Sequence, residues 1–140
     1  MKVLAVTPLY PPASRVGSWL STHECLVSLA ERGHHVEVVR EIGQSVAAYE
    51  HDNIKIWTGV GHITRLLSDA DVVISHLGDS GRAADAARAA GVPSVRMAHG
   101  GRISDGAVTE ADLVVWNSES YRNARPGIVV HPPVWPDRYA

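Results

Sequence analysis

One cysteine, Cys25, occurs among 140 residues, so no intrachain disulfide can form and nothing points to an oxidising compartment. No stretch approaches the ~18–20 consecutive apolar residues needed to cross a bilayer. The opening Met1-Lys2-Val3-Leu4-Ala5-Val6 is cut by Pro8, short of the apolar run of ~7–15 residues in a signal peptide. The chain is therefore expected in the cytoplasm. Neither sign of charge dominates: 13 Lys and Arg against 15 Asp and Glu leave a net −2. That argues against a generic nucleic-acid or membrane-surface binder, because both partners are polyanionic. No G-x-G-x-x-G follows the first apolar run, which disfavours an ordinary dinucleotide enzyme. No H-x-x-x-H pair is present, and the adjacent His34 and His35 would point apart in a strand, so no metal or cofactor is expected. Internal repeats and low-complexity segments are also lacking.

What is present is the balance of an ordinary globular domain, 45% hydrophobic and 20% charged. A chain of this length folds as one domain and buries roughly 68% of its unfolded surface. Short β-branched runs alternate with amphipathic or Ala-rich stretches, the pattern of an α/β fold: a mostly parallel twisted sheet with helices on both faces. Strands are expected over residues 3–7, 35–39, 46–50, 54–57, 71–75, 94–98, 113–116 and 128–131. Val3 to Thr7 is apolar throughout, hence central. Helices are expected from Ser18, as N-cap, to Gly33, as a left-handed C′ residue, and over 60–67, 81–90 and a short stretch from Ser118. In the first of these, Trp19, Leu26, Leu29 and Ala30 share a face. His51-Asp52-Asn53 reads as a turn.

In an open parallel sheet, ligands bind beyond the carboxyl ends of the strands. Four loops then qualify, Pro8 to Gly17, His76 to Ser80, His99 to Asp105 and Asn117 to Glu119, and the polar residues at three of those strand ends are hard to assign to packing. The first carries Arg15 and the Gly17-Ser18 helix start, whose free N–H groups suit an anion or a sugar hydroxyl. The second opens with His76. The third is His99-Gly100-Gly101-Arg102, where glycines permit close approach and an imidazole can donate, accept or carry charge. The fourth opens with Asn117-Ser118, Ser118 also being a natural helix N-cap. Arg82, Asp85 and Arg88 read as an exposed helix face, and Cys25 as a small core-facing residue.

These segments, in their order, resemble family 4 of the retaining glycosyltransferases of the GT-B fold. The resemblance runs through the strand, Pro-rich loop and helix of Met1 to Val39, which ends in Arg32-Gly33-His34-His35-Val36. It continues in Asp71-Val72-Val73-Ile74-Ser75-His76, in Gly91-Val92-Pro93-Ser94-Val95 with His99-Gly100, and in Ala111-Asp112-Leu113-Val114-Val115-Trp116-Asn117-Ser118-Glu119. It closes on His131-Pro132-Pro133-Val134 and Pro136-Asp137-Arg138-Tyr139. The resemblance implies an N-terminal, acceptor-binding Rossmann-like lobe over residues 1–131 and an interlobe segment over 132–140. It also implies sugar transfer from a nucleotide-sugar donor without an obligatory metal. His99 takes the place of the family's active-site histidine, and Gly17 that of its glycine contacts. Val16 stands where the family has the first glycine, and the family's donor-binding lobe, with its E-x7-E motif, is not in this sequence.

Three expectations follow. The leading one is half an enzyme, with a sugar acceptor as ligand, a separate donor-binding C-terminal lobe or subunit as partner, and very low transfer when alone. A second is a non-catalytic module that keeps the fold and binds a glycan or a protein. A third is an unrelated doubly wound enzyme. Trp135 and Tyr139 on an apolar docking surface would favour self-association.

Overall fold

A computed structural model describes residues 1–43, 48–76, 80–99 and 111–131. The eight strands are β1 (Lys2–Thr7), β2 (His35–Arg40), β3 (Tyr49–His51), β4 (Ile54–Thr58), β5 (Val72–His76), β6 (Ser94–Ala98), β7 (Leu113–Trp116) and β8 (Ile128–Val129). The helices are α1 (Gly17–Glu31), α2 (His62–Leu67), α3 (Ser80–Ala90) and α4 (Glu119–Arg122). One sheet runs in the order β3-β4-β2-β1-β5-β6-β7-β8. Every neighbouring pair is parallel except β3 with β4. The α/β class expected from the sequence is the one found.

The strand period of two explains why helices cover both faces. On β1, Val3 and Ala5 join one core with Val36, Val38, Ile54, Ile56 and Leu26 of α1. Their neighbours Leu4 and Val6 join the other, with Val39, Val73, Ile63 and Leu66 of α2, and Ala83 and Ala87 of α3. A smaller cluster of Ala98, Val114 and Trp116 closes the β6–β8 side. Because β1 lies between β2 and β5, the chain leaves it in one direction and returns on the other side. The crevice of the switch point therefore opens beyond the carboxyl ends of β1 and β5.

Gly33 has φ +86°, and the helix ends as expected: Gly33 N–H donates to Ala30 and His34 N–H to Leu29, a Schellman closure. The start differs. α1 begins at Gly17 with Val16 as N-cap and no side-chain cap, so Ser18 lies inside the first turn. Its carbonyl instead accepts from the Thr22 hydroxyl at 3.0 Å. The inner face of α1 also differs, with Thr22, His23, Glu24, Leu26 and Val27 buried and Leu29 and Ala30 packed beside them. Trp19 stays outside that core. The turn between β3 and β4 is two residues long, since His51 pairs with Ile54. Asp52 and Asn53 both have positive φ, 49° and 61°, as the hairpin turn that matches strand twist requires. The remaining boundaries shift by one or two residues, and the expected start of the third strand, at Val46 and Ala47, lies outside the described residues. Ser118 caps α4 as expected, accepting from Tyr121 N–H at 3.3 Å.

Candidate functional site

Register places four strand ends side by side. Val6 pairs with Ser75, so Thr7 and His76 finish β1 and β5 together. His76 pairs with Met97, and Ala98 with Trp116. His99 and Asn117 thus leave the sheet next to each other, and Asn117 N–H donates back to the Ala98 carbonyl at 3.3 Å.

The sequence suggests that β5 stops at Ser75 and frees His76 into a loop. Instead β5 is hydrogen-bonded on both sides and continues through His76, which is buried, with 1% of its surface exposed. Its Nδ1 lies 3.4 Å from Thr7 Oγ1. That hydroxyl spends its hydrogen on the Leu9 carbonyl at 2.9 Å, so its oxygen accepts and His76 carries its proton on Nδ1. The other nitrogen, Nε2, is then a bare acceptor, and it is buried without a hydrogen-bond partner among the described residues. An orphan of that kind costs about 1–3 kcal/mol, a cost the packing of a β-strand end gives no reason to carry. The His99 ring meets His76 edge to face, centroids 4.5 Å apart. Burial above all, with His99 and Arg96 nearby, pushes the His76 pKa down to about 3. Burial also lowers that of His99. Both imidazoles are therefore neutral at physiological pH, and His99 enters any chemistry as a neutral hydrogen-bonding group.

Beside them, a cavity of about 40 Å³ is lined by His99 and Met97 of the β6 end, Val115 and Asn117 of the β7 end, Val130 and His131 beyond β8, and Ser21 and Cys25 of α1. Two of its polar atoms, Ser21 Oγ and Asn117 Oδ1, are buried with no hydrogen-bond partner among the described residues. A volume of that size holds about one water rather than a sugar, so a larger ligand would lie across its mouth. Burial raises the pKa of Cys25, so its thiol stays protonated there.

His76, His99 and Asn117 are thus brought together. Gly17 and Ser18 sit one turn earlier on the helix that supplies Ser21, Gly17 exposed and Ser18 half-buried. A Cβ built on Gly17 would meet nothing within 4 Å, and its φ is not positive, so the fold does not itself demand glycine there. Ser118 Oγ is engaged by Tyr121 N–H and Ser120 and does not line the cavity. Arg15 faces elsewhere, lining a cleft of about 750 Å³ between α1 and the β3–β4 hairpin. Gly100, Arg102 and the rest of that loop lie outside the described residues, as does the 132–140 tail with Trp135 and Tyr139.

Sequence spacing missed one group. His23 of α1 is buried, its Nδ1 2.7 Å from the Tyr10 hydroxyl and its Nε2 2.8 Å from Asp52 Oδ2. His51 stacks on it, centroids 4.9 Å apart. The three come from different elements, and only a paired hairpin, legible from the turn signal, would have suggested their meeting.

No family model matches the sequence, and no curated protein does. Solved structures do match. MurG of Acinetobacter baumannii is 17% identical with a TM-score of 0.62, covering 99% of this chain and 47% of that one. Anabaena HepE, solved in complex with UDP, is 15% identical with a TM-score of 0.68, covering 96% and 44%. An alpha-glucosyltransferase solved with UDP and a DNA 13-mer is 13% identical with a TM-score of 0.62, covering 94% and 42%. The fold is that of a GT-B lobe. This chain spans less than half the length of those three proteins. Dehydrogenases share the doubly wound fold at a TM-score of 0.50, so the likeness is one of architecture. No helix among the described residues is long and apolar enough to cross a membrane.

Proposed function

We propose that the chain is the acceptor-side lobe of a family 4-like glycosyltransferase, moving a sugar from a nucleotide-sugar donor to an acceptor when a donor-binding lobe completes the cleft. The observation that carries this reading is the rim of β1, β5, β6 and β7. There two neutral histidines and Asn117 meet the outer turns of α1, beside a cavity too small for a sugar by itself. A second lobe lying over that mouth would supply the missing wall and exclude water, which strengthens every polar contact inside. In this scheme His99 hydrogen-bonds the transferring sugar or acceptor at the reacting centre, and His76 holds the His99 ring in place from below. Gly17 leaves the helix start clear for a polar ligand on its N–H groups.

The test pairs this chain with a donor-binding lobe and follows sugar transfer from a panel of nucleotide sugars. Transfer should be very low for the chain alone and restored by the pairing. His99→Ala should then lower the restored rate by well over tenfold, the scale of one positioned polar group in a water-poor site. Full activity in that variant would remove His99 from the mechanism. Glycan or protein binding indifferent to any donor lobe would replace the enzyme reading with that of a binding module.

A further inference from the structure

A second cleft lies on the other wall of α1, away from the histidine rim. Its volume is about 750 Å³, within the range of small-molecule sites. At its edge the hairpin turn presents Asp52 to helix α1. Asp52 Oδ2 is 2.8 Å from His23 Nε2 and 3.8 Å from His51 Nε2. The ligand-type atoms of the three residues all lie within 4.8 Å of one another.

We propose that His23, His51 and Asp52 form a binding site for a divalent cation of the zinc type, with its open coordination position facing this cleft. Metal-to-ligand bonds of about 2.0–2.2 Å in a tetrahedron place ligand atoms about 3.3 Å apart. Two edges of the set, 2.8 and 3.8 Å, bracket that value and the third lies within 4.8 Å, so an ion would draw the three atoms together as the His51 ring turns out of its stack on His23. Two imidazoles and one carboxylate are a donor set that zinc accepts, and three protein ligands leave a position open, as in sites that take up an exogenous ligand. The outer shell is also in place. Tyr10, fully buried, lies 2.7 Å from His23 Nδ1. A tyrosine hydroxyl both donates and accepts. Without metal it donates to Nδ1 while Nε2–H donates to Asp52. With metal, the proton sits on Nδ1 and is donated to the tyrosine oxygen, which frees the Nε2 lone pair and fixes the ring, as partners of metal-bound histidines do. Glu24 and Glu31 also line the cleft and favour a cation, whereas Arg15 is the lining side chain of opposite sign. The site would tie the hairpin to the helix and offer the cleft a Lewis-acidic anchor for a hydroxyl or carboxylate group.

The experiment uses the untagged full chain, stripped with chelator and titrated with Zn²⁺ by calorimetry, with Co²⁺ absorption reporting the ligand geometry. Wild-type protein should bind one equivalent with a tetrahedral Co²⁺ spectrum. His51→Ala and Asp52→Asn, both at half-buried or exposed positions, should each weaken binding at least tenfold while circular dichroism shows an intact fold. Absence of stoichiometric binding overturns the proposal, as does tight binding retained in either folded variant. None of these readouts depends on sugar transfer, so they stand or fall apart from the reading of the histidine rim.

Discussion

His76 illustrates how a single buried side chain can set both a site and a pH limit. The unfolded chain takes up a proton on this histidine near pH 6.5, the folded chain only near 3. Below 6.5 the unfolded state therefore binds more protons, so stability falls as pH drops towards 3 and is unaffected by this group above about 7. The lowered pKa of His99 acts in the same direction. Urea midpoints measured across that window should decline in wild-type protein and decline much less in His76→Asn, which keeps a donor near Thr7. An unchanged slope in the variant would assign the acid sensitivity to other groups. Gly17 offers the complementary case. Because a methyl group there meets nothing, Gly17→Ala should leave the melting temperature the same or slightly higher. Any fall in acceptor binding or restored transfer would then report the ligand's closeness to the helix start. At this scale the sequence was informative where a polar residue ends or follows a buried strand, at His76 as the last residue of β5 and at His99 and Asn117 just beyond β6 and β7. It was silent on side-chain direction, which is why Arg15 lines the other cleft. It was equally silent on His23 with Asp52, since residues 29 positions apart meet only through tertiary packing.

At the scale of elements, the β7–β8 connection depends on one backbone position. Trp116, fully buried, donates its indole N–H to the Pro126 carbonyl at 2.8 Å, and Gly127 then turns with φ +121°. A Cβ at 127 would press on the Val114 carbonyl and the Trp116 indole. Backbone strain of this kind costs about 1–3 kcal/mol, and backbone cannot move aside as a flexible side chain can. Gly127→Ala should therefore lower the urea midpoint by a stability loss at or above the top of that range. A loss below about 0.5 kcal/mol would mean that the connection adapts more readily than its contacts suggest. Periodicity revealed β7 and suggested a strand over 128–131, yet not that β8 is only two residues long. Pattern alone was also unable to place the helix start at Gly17, because a serine near a helix N-terminus can lie one turn inside as easily as at the cap.

Across the whole molecule, alternation of short apolar runs with helical stretches was enough to read the parallel sheet and its two helical layers. The order of strands was not readable, because β1 and β5 become neighbours through a pairing 69 residues long in sequence, as the Thr7–His76 contact shows. That contact lies at the switch point, where both halves of the sheet end together. The low transfer expected of the chain alone belongs to this scale, since in the proposed reading the rim would offer only one side of the cleft.

The partition of β1 between two cores has a consequence for tolerance to insertion. Val3 and Ala5 look one way and Leu4 and Val6 the other, so this strand is a wall shared by two rooms. Sliding it by a single position against its neighbours would send every one of its side chains into the opposite room, exchanging large for small on both sides at once. One added residue within β1 should thus be felt by the helices on both faces of the sheet, whereas the same addition in the proline-rich loop that follows would be absorbed locally.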